Sequence, residues 1–236
     1  MRIVKPSYEI VYFEPEKDIL CIERAARLCY KSESAIKDGS AEKIIRFLIE
    51  HEHEAMLEHS RLSVIFTVDR GVSHELVRHR LASFAQESTR YCNYSNDKFG
   101  NEITVVEPIF FKDIPEERKE TIRNLMDGKI DTVPEGFDIQ EIDKRYANWY
   151  TDCELAESGY FKQLELGAAP QEARAVLPNS LKTEIMVTAN YREWRKIFEL
   201  RTAMDAHPEI RSIMISLLSE VQKKAPVIFY DISYNS

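Results

Sequence analysis

The order of strand and helix patterns along the chain constrains its fold more than any other feature. Alternating apolar residues, many of them β-branched or aromatic, predict strands at residues 3–13, 62–68, 103–106, 181–189 and 227–232. Apolar residues at helical spacing predict helices at residues 15–30, 40–49, 115–126, 137–166, 191–201 and 210–221. The two patterns mingle without a regular β-α-β alternation, which favours an α+β fold.

The 236 residues are expected to form one domain, residues 1–236, because the chain has no repeat, no low-complexity segment and no linker-like stretch. Ser40 is the expected N-cap of the second helix, and Ser73 of a short helix that ends near Val77. Residues 69–71 are expected to form a turn before that short helix.

Charge and hydrophobicity argue against several functional classes. The net charge of −8 disfavours general nucleic-acid binding, which needs a broad basic face. No apolar run is long enough to span a bilayer, and the polar N-terminal residues do not resemble a signal peptide. The cysteines lack Cys-x-x-Cys spacing, so we expect buried thiols in a reducing cytoplasm. They are Cys21, Cys29, Cys92 and Cys153.

Glycine is scarce, with seven residues in the chain. Neither Gly-x-Gly-x-x-Gly nor Gly-x-x-x-x-Gly-Lys-Ser/Thr occurs, so both common glycine-rich phosphate loops are missing. If the chain binds a nucleotide or a dinucleotide cofactor, side chains must hold the phosphates. Arginine suits this role because its five donors match a phosphate bidentately.

The basic segment, residues 78–91, concentrates such groups, with three arginines beside a histidine, a glutamine, a threonine and two serines. This composition suits a small anionic ligand, although a charged run can also be a solvated helix end. In a helix Arg78 and Arg80 would lie about 200° apart and grip two different anions, whereas in a strand they would share a face. Ser88 suits a nucleotide anchor better than a nucleophile, because no Gly-x-Ser-x-Gly elbow is present.

A second group of arginines lies in the C-terminal half of the chain: Arg174, Arg192, Arg195 and Arg201. Arg201 lies one turn beyond Ile197 and Phe198 and so approaches the buried side of its helix. A buried arginine needs an anionic or carbonyl partner, which could be a ligand or a structural carboxylate. The pattern leaves both alternatives open.

Three histidines lie in one short stretch: His51, His53 and His59. His53 and His59 are six residues apart, about 240° around a helix, and no His-Glu-x-x-His motif occurs. Hydrogen bonding to a ligand, or simple polarity at a helix end, is therefore favoured over metal binding. We expect no metal site.

The basic segment resembles the signature of flavin-dependent thymidylate synthases. The residues that carry the resemblance read Arg78-His79-Arg80-x-x-Ser83-x-x-x-x-Ser88-x-Arg90-Tyr91. Further motifs follow the family's order, and they are His53 with Glu58-His59, Ala173-Arg174-x-x-Leu177-Pro178, Asn190-x-Arg192, Phe198-x-x-Arg201 and Glu209-Ile210-Arg211. Because these motifs span about two-thirds of the chain, it is identified as a member of this family.

The resemblance implies an α+β fold with a mixed or antiparallel sheet and long helices, assembled as a homotetramer with active sites at subunit interfaces. It implies reductive methylation of dUMP to dTMP, with methylenetetrahydrofolate as carbon donor, FAD as cofactor and NADPH as reductant. The alternative is a nucleotide-binding module without chemistry, which would have no use for Arg201. A metal-dependent nucleotide hydrolase built on the histidines ranks last.

The resemblance also implies roles for individual residues. The catalytic group would consist of Arg201, Ser88 and His53. Within it, Arg201 would polarise the uracil imide. FAD would be held by Arg78, His79, Arg80, Asn190, Arg192, Ala55 and Lys196. The dUMP site would contain Glu75, Arg78, Gln86, Glu87, Ser88, Arg90, Arg174 and Arg201, several of them from a neighbouring subunit.

Several positions depart from the family pattern. Glu75 stands where glutamine is common, and its charge would repel a phosphate unless an arginine neutralises it, so its contact is expected with base or ribose. Ala85-Gln86-Glu87 replaces Asn-Glu-Gln. Ala55 replaces a hydroxyl residue and leaves only backbone polar groups to touch the flavin, and Lys196 replaces another polar side chain.

Overall fold

The computed structural model describes residues 1–96 and 99–234, which form two compact units. The sheet unit consists of Pro6–Val68, Val72–Gln86 and residues 184–234. The α5 unit, named after its longest helix, consists of Met1–Lys5, Asp69–Gly71 and the described part of Glu87–Thr183. The single domain over residues 1–236 stays a prediction, and it includes Asp97, Lys98, Asn235 and Ser236, which lie outside the described residues.

The strands assigned in the described residues are β1 (Arg2–Val4), β2 (Ser7–Phe13), β3 (Leu62–Asp69), β4 (Ser83–Gln86), β5 (Thr104–Val106) and β6 (Lys182–Ala189). The α-helices are α1 (Pro15–Tyr30), α2 (Ser40–Glu50), α3 (Arg70–Leu76), α4 (Glu116–Met126), α5 (Glu141–Glu165), α6 (Pro170–Ala173), α7 (Tyr191–Arg201), α8 (Pro208–Lys224) and α9 (Pro226–Phe229). Short 3-10 turns lie at Glu33–Ala35, Glu54–Glu58, Ile109–Phe111 and Arg174–Val176.

The sheet unit is built on a four-stranded sheet in the order β2-β3-β6-β4. β2 pairs antiparallel with β3, and β4 pairs antiparallel with β6 in the register Ser83 to Thr188 and Gln86 to Ile185. The predicted apolar face of β3 is buried, with Val64 and Phe66 fully covered. Helices α1, α2, α7, α8 and α9 contribute to the same core, so the predicted α+β fold with an antiparallel sheet is confirmed.

The α5 unit contains a parallel pair of short strands and the two longest connections of the chain. β1 pairs with β5, so that Arg2 faces Thr104 and Val4 faces Val106. Helices α4 and α5 pack on each other. Two apolar clusters support them, one around Tyr160 and one around Tyr146, and both rings are fully buried.

Several local predictions are wrong. Residues 3–13 are two strands in different sheets, since Pro6 falls in the break between β1 and β2. Residues 69–71 form no turn: β3 runs into α3, and Ser73 lies inside that helix. Gly39, with a φ of 72°, is the N-cap of α2, and Ser40 is the first helical residue, whose hydroxyl accepts from the Lys37 amide at 2.9 Å and donates to Glu23.

The C-terminal prediction is wrong for a clear reason. Residues 227–232 are not a strand, because Pro226 starts the helix α9, in which a proline at the first position costs no hydrogen bond. Val227, Ile228 and Phe229 are all buried, and a short helix buried on every side gives the same continuous apolar pattern as a strand. The cysteines also differ from expectation: all four are free thiols, but Cys21 and Cys29 are exposed.

Candidate functional site

Helix α7 positions the candidate catalytic arginine. Asn190 caps the helix, and its side-chain oxygen accepts a hydrogen bond from the Glu193 amide at 2.9 Å. Trp194, Ile197 and Phe198 are fully buried and fix the inner face of the helix against the core. Arg201 is the last helical residue, one turn beyond Ile197, and its side chain is 19% exposed.

The Arg201 guanidinium is held on three sides by protein groups of the sheet unit. Nη1 donates to the Glu75 carboxylate at 2.7 Å, and Nη2 donates to the Glu75 backbone carbonyl at 3.0 Å. Nε donates to Nε2 of His79 at 2.9 Å. These contacts use three of the five N–H groups, so one on each terminal nitrogen remains for a ligand.

His79 is the neutral acceptor in this cluster. Its side chain is 6% exposed, and burial together with the positive charge of Arg201 lowers its pKa from 6.5 to about 4. Because Nε2 accepts from Arg201, the proton of the neutral ring is on Nδ1, which lies 3.8 Å from a carboxylate oxygen of Glu193. Burial raises the pKa of Glu193, and the charge of Lys196 opposes that rise.

This cluster offers directed positive charge beside a histidine that stays neutral, because its pKa is lowered to about 4. A fixed guanidinium with two remaining donors can stabilise negative charge that develops on a carbonyl or imide oxygen. The arrangement therefore suits electrostatic stabilisation of an anionic ligand group. Of the two alternatives left open for Arg201, the structure shows a protein carboxylate as its partner, and ligand binding by the two remaining donors stays a prediction.

The first residues of the basic segment follow helix α3 and do not continue it. The helix ends at Leu76, so the helical separation of Arg78 and Arg80 does not apply. Both arginine side chains are exposed, whereas His79 between them is buried. Within residues 1–96 and 99–234, neither guanidinium has a hydrogen-bonding or ionic partner, which leaves both ready for an anion.

The rest of the basic segment is divided between the two units. Gln86 belongs to the sheet unit, where its amide donates to the Ser73 hydroxyl at 2.9 Å. Glu87 belongs to the α5 unit and lies 3.1 Å from the Lys182 ammonium. In the same unit the Ser88 hydroxyl accepts from the Arg90 amide at 3.3 Å.

Arg174 is positioned by a residue that sequence reasoning missed. Its Nη1 donates to the Thr89 hydroxyl at 3.0 Å, and Thr89 is 7% exposed while the Arg174 side chain is exposed. The exposed Arg90 lies in the same unit, with its guanidinium 5.5 Å from the ring of Tyr91. The only signal for Thr89 is its place in a hydroxyl-rich run beside predicted binding residues.

The predicted cofactor residues at the start of α7 lie near the predicted histidine segment. Arg192 donates to Glu58 at 2.7 Å, and the His53 ring lies 3.0 Å from the Tyr30 hydroxyl. Ala55 and Lys196 are exposed. In the described part of the chain, no three His, Cys, Asp or Glu side chains are grouped so that they could hold a metal ion.

Arg195, on the same helix, is a structural residue. It is 3% exposed and donates two hydrogen bonds to the Asp231 carboxylate, each 2.7 Å long. It also donates to the Ile228 carbonyl at 2.6 Å and to Glu54 at 3.1 Å. The protein uses four of its five N–H groups, so the C-terminal segment and the segment around Glu54 are tied to α7.

The family of the chain follows from comparison with known proteins. The family described as "thymidylate synthase complementing protein" matches residues 10–227. The chain belongs to this family. The family membership predicted from the basic segment is confirmed, since relatives named flavin-dependent thymidylate synthase also align with the chain.

Three of these relatives show how far the similarity extends. The protein from Mycolicibacterium gilvum is 34% identical over 213 residues, which cover 89% of this chain and 78% of that protein. The protein from Mycobacterium marinum is 33% identical with the same coverage. The protein from Corynebacterium diphtheriae is also 33% identical and is covered over 77% of its length.

One solved structure shows that the fold is shared. The structure of the UMP/dUMP methylase PolB from Streptomyces cacaoi, bound with 5-Br dUMP, aligns with a TM-score of 0.73 and 22% identity. The alignment covers 98% of this chain and 96% of that one. Among the described residues, no helix combines the length and the apolar character that crossing a bilayer needs.

Proposed function

We propose that this protein is a flavin-dependent thymidylate synthase, an enzyme that converts dUMP to dTMP by reductive methylation. The observation that carries the proposal is the family match over residues 10–227. Relatives with that name align over 89% of the chain and support it. The proposed carbon donor is methylenetetrahydrofolate, the cofactor is FAD and the reductant is NADPH.

The residues present suit FAD, although no glycine-rich phosphate loop occurs. The exposed arginines Arg78 and Arg80, with no other partner among the described residues, match a diphosphate. Arg192, Asn190, Lys196 and the backbone at Ala55 are the further proposed contacts. Bound FAD supplies the redox chemistry. The role of His79 at the cofactor stays a prediction, since its ring nitrogens face Arg201 and Glu193.

For dUMP, we assign the uracil imide to Arg201, and we expect several of the other contacts to come from a neighbouring subunit. The two remaining N–H groups of Arg201 would stabilise negative charge on the imide without a proton transfer from the guanidinium. Arg174 and Arg90, with Ser88, would hold the phosphate, and Gln86 and Glu87 the rest of the nucleotide. His53 stays a predicted member of the catalytic group.

We further propose that the active enzyme is a homotetramer in the cytoplasm, with active sites at its subunit interfaces. Large apolar side chains beside the site residues are exposed in the single chain, which supports an interface there. Leu81, next to Arg80, is 79% exposed, and Met204, just beyond Arg201, is 68% exposed. The four free thiols are consistent with a reducing compartment.

Two measurements on the purified protein test the proposed activity. We expect a yellow protein that makes dTMP only when dUMP, methylenetetrahydrofolate and NADPH are all supplied. NADPH should bleach the flavin absorbance faster when dUMP is present. A colourless protein with no affinity for FAD and no dTMP formation would overturn the proposal. A module that binds nucleotide without chemistry would retain dUMP affinity and be insensitive to Arg201→Ala.

A further inference from the structure

The charge on Arg201 is already partly balanced inside the protein. The Glu75 carboxylate lies 2.7 Å from Nη1 and is the only carboxylate of the described residues in direct ionic contact with this guanidinium. Glu75 also offers its backbone carbonyl to Nη2, so one residue supplies two of the three acceptors. The third acceptor, His79, is neutral and contributes no compensating charge.

We propose that Glu75 is a positioning residue that sets how strongly Arg201 stabilises an ionised pyrimidine. The proposal rests on the proposed function, because it takes the Arg201 site to bind the uracil imide. In it, Glu75 acts through Arg201 and need not touch the nucleotide. Its carboxylate holds the guanidinium in place and at the same time offsets part of the positive charge that Arg201 can present to a ligand.

The electrostatic argument depends on partial burial. The Arg201 and Glu75 side chains are 19% and 30% exposed, so their interaction is screened less than a surface pair would be. An anionic base that approaches the two remaining donors meets the attraction of Arg201 and the repulsion of Glu75 together. A neutral base carries no net charge, so both the attraction of Arg201 and the repulsion of Glu75 are weak for it.

The surrounding groups do not replace Glu75 in this role. Glu193 is the other carboxylate of the cluster, but it lies behind His79, 3.8 Å from Nδ1, and the charge of Lys196 acts on it. The exposed Arg78 follows Glu75 by three residues and adds positive charge nearby. Removal of the Glu75 charge should therefore leave the cluster net positive and favour the ionised ligand.

The variant Glu75→Gln removes the negative charge of residue 75 but keeps the size of its side chain. A glutamine side-chain oxygen can still accept the hydrogen bond from Nη1, and the backbone carbonyl contact is unchanged. The measurement is the dissociation constant of the FAD-loaded enzyme for 5-fluoro-dUMP and for dUMP at one mildly alkaline pH. The halogen acidifies the imide, so the fluorinated nucleotide is ionised to a greater extent. N3-methyl-dUMP, whose base has no imide proton to lose, serves as the reference with a neutral base.

We expect Glu75→Gln to increase the preference for 5-fluoro-dUMP over dUMP by about tenfold relative to the wild type. Affinity for N3-methyl-dUMP should change by less than about twofold in the same comparison. Glu75→Asp keeps the charge and should keep a preference near that of the wild type. If Glu75→Gln does not fold, Glu75→Ala replaces it, with the same expectation.

Glu220→Gln is the matched control. Glu220 belongs to the same unit, pairs with Lys224 at the same 2.7 Å distance and is 38% exposed, so it should leave the preference unchanged. An unchanged preference in Glu75→Gln, or an equal shift in Glu75→Asp, overturns the inference but not the proposed function. If neither the wild type nor any variant binds these nucleotides, the proposed function fails and the inference with it.

Discussion

Helix α7 holds two arginines in different ways, Arg195 in its middle and Arg201 at its C-terminal end. Arg195 is 3% exposed, and Asp231, Glu54 and the Ile228 carbonyl accept from four of its five N–H groups. Arg201 lies six residues later and is also paired with a carboxylate, yet it is 19% exposed and keeps two free N–H groups. Pairing with a carboxylate therefore does not separate a structural arginine from a functional one. Exposure and the remaining donors do.

The free-energy cost of leaving guanidinium donors without a partner differs between the two sites. A buried guanidinium that lacks a partner is expensive, so the fold supplies Arg195 with two carboxylates and a carbonyl. Arg201 can leave donors unsatisfied because water reaches them in the absence of a ligand. We propose that incomplete pairing at a partly exposed position marks where the molecule binds an anion.

The largest effect is expected for Arg201→Ala. Loss of a preorganised donor to developing negative charge should lower the rate of dTMP formation by about 10²–10³. The fold should be retained, because the Glu75 carboxylate is 30% exposed and can be solvated once its partner is gone. Steady-state kinetics and circular dichroism of the same preparation check both parts. A rate within about threefold of the wild type would assign Arg201 to structure alone.

The opposite result is expected for Arg195→Ala. Its removal leaves Asp231 without its partner and Glu54 with only the 3.9 Å contact to Arg192, and we expect the free energy of unfolding to fall by about 2–3 kcal/mol, below the usual cost of a fully buried pair. Urea denaturation measures this change. Arg192→Ala is the control: Arg192 pairs with Glu58 on the surface at 2.7 Å and lies 3.9 Å from Glu54, and its loss should cost no more than about 0.5 kcal/mol. Equal losses of unfolding free energy in Arg195→Ala and Arg192→Ala would show that Arg195 is not a structural residue of the core.

His79 should make the Arg201 end of α7 sensitive to acid. Its pKa is about 4 in the folded chain and near 6.5 when unfolded, so only the unfolded chain binds this proton between those values. Stability should therefore fall as the pH drops from about 6.5 to about 4, by about 2 kcal/mol when solvent screening is allowed for.

Denaturation curves at several pH values test this expectation. The variant His79→Gln lacks the titrating ring but can still accept from Arg201, so it should lose that part of the pH dependence. His74 lies on the exposed face of α3, so His74→Gln should keep the full pH dependence of stability. Parallel pH curves for the wild type and His79→Gln would show that His79 is not the group responsible.

The smallest effect is expected at Thr89, which orients Arg174 in the α5 unit. Thr89→Val keeps the shape of the buried side chain but removes the hydroxyl that accepts from Arg174. Affinity for dUMP should fall about fivefold, the equivalent of one net hydrogen bond of about 1 kcal/mol. Thr89→Ser should retain the wild-type value. Equal affinities in Thr89→Val and the wild type would remove Thr89 from the binding machinery.

Sequence patterns predicted most of the fold, because α7, α8 and β3 have long periodic faces that local spacing defines. They failed where periodicity is short, as at Pro226–Phe229, or where a strand passes directly into a helix at Asp69. The contacts within the candidate site were harder to predict from the sequence than the fold. Glu75 and Arg201 are 126 residues apart, and no local pattern states which carboxylate an arginine will meet. For the same reason, Arg195 and Arg201 could not be separated, and Thr89 was missed.

The most direct test of this account compares Arg201→Ala with Arg195→Ala in a single assay. The rate of dTMP formation per folded molecule is measured at a temperature well below both melting points. The account predicts that Arg201→Ala is nearly inactive with a melting temperature close to the wild type, and that Arg195→Ala melts earlier but retains its rate per folded molecule. An active Arg201→Ala enzyme beside an inactive, fully folded Arg195→Ala enzyme would contradict it.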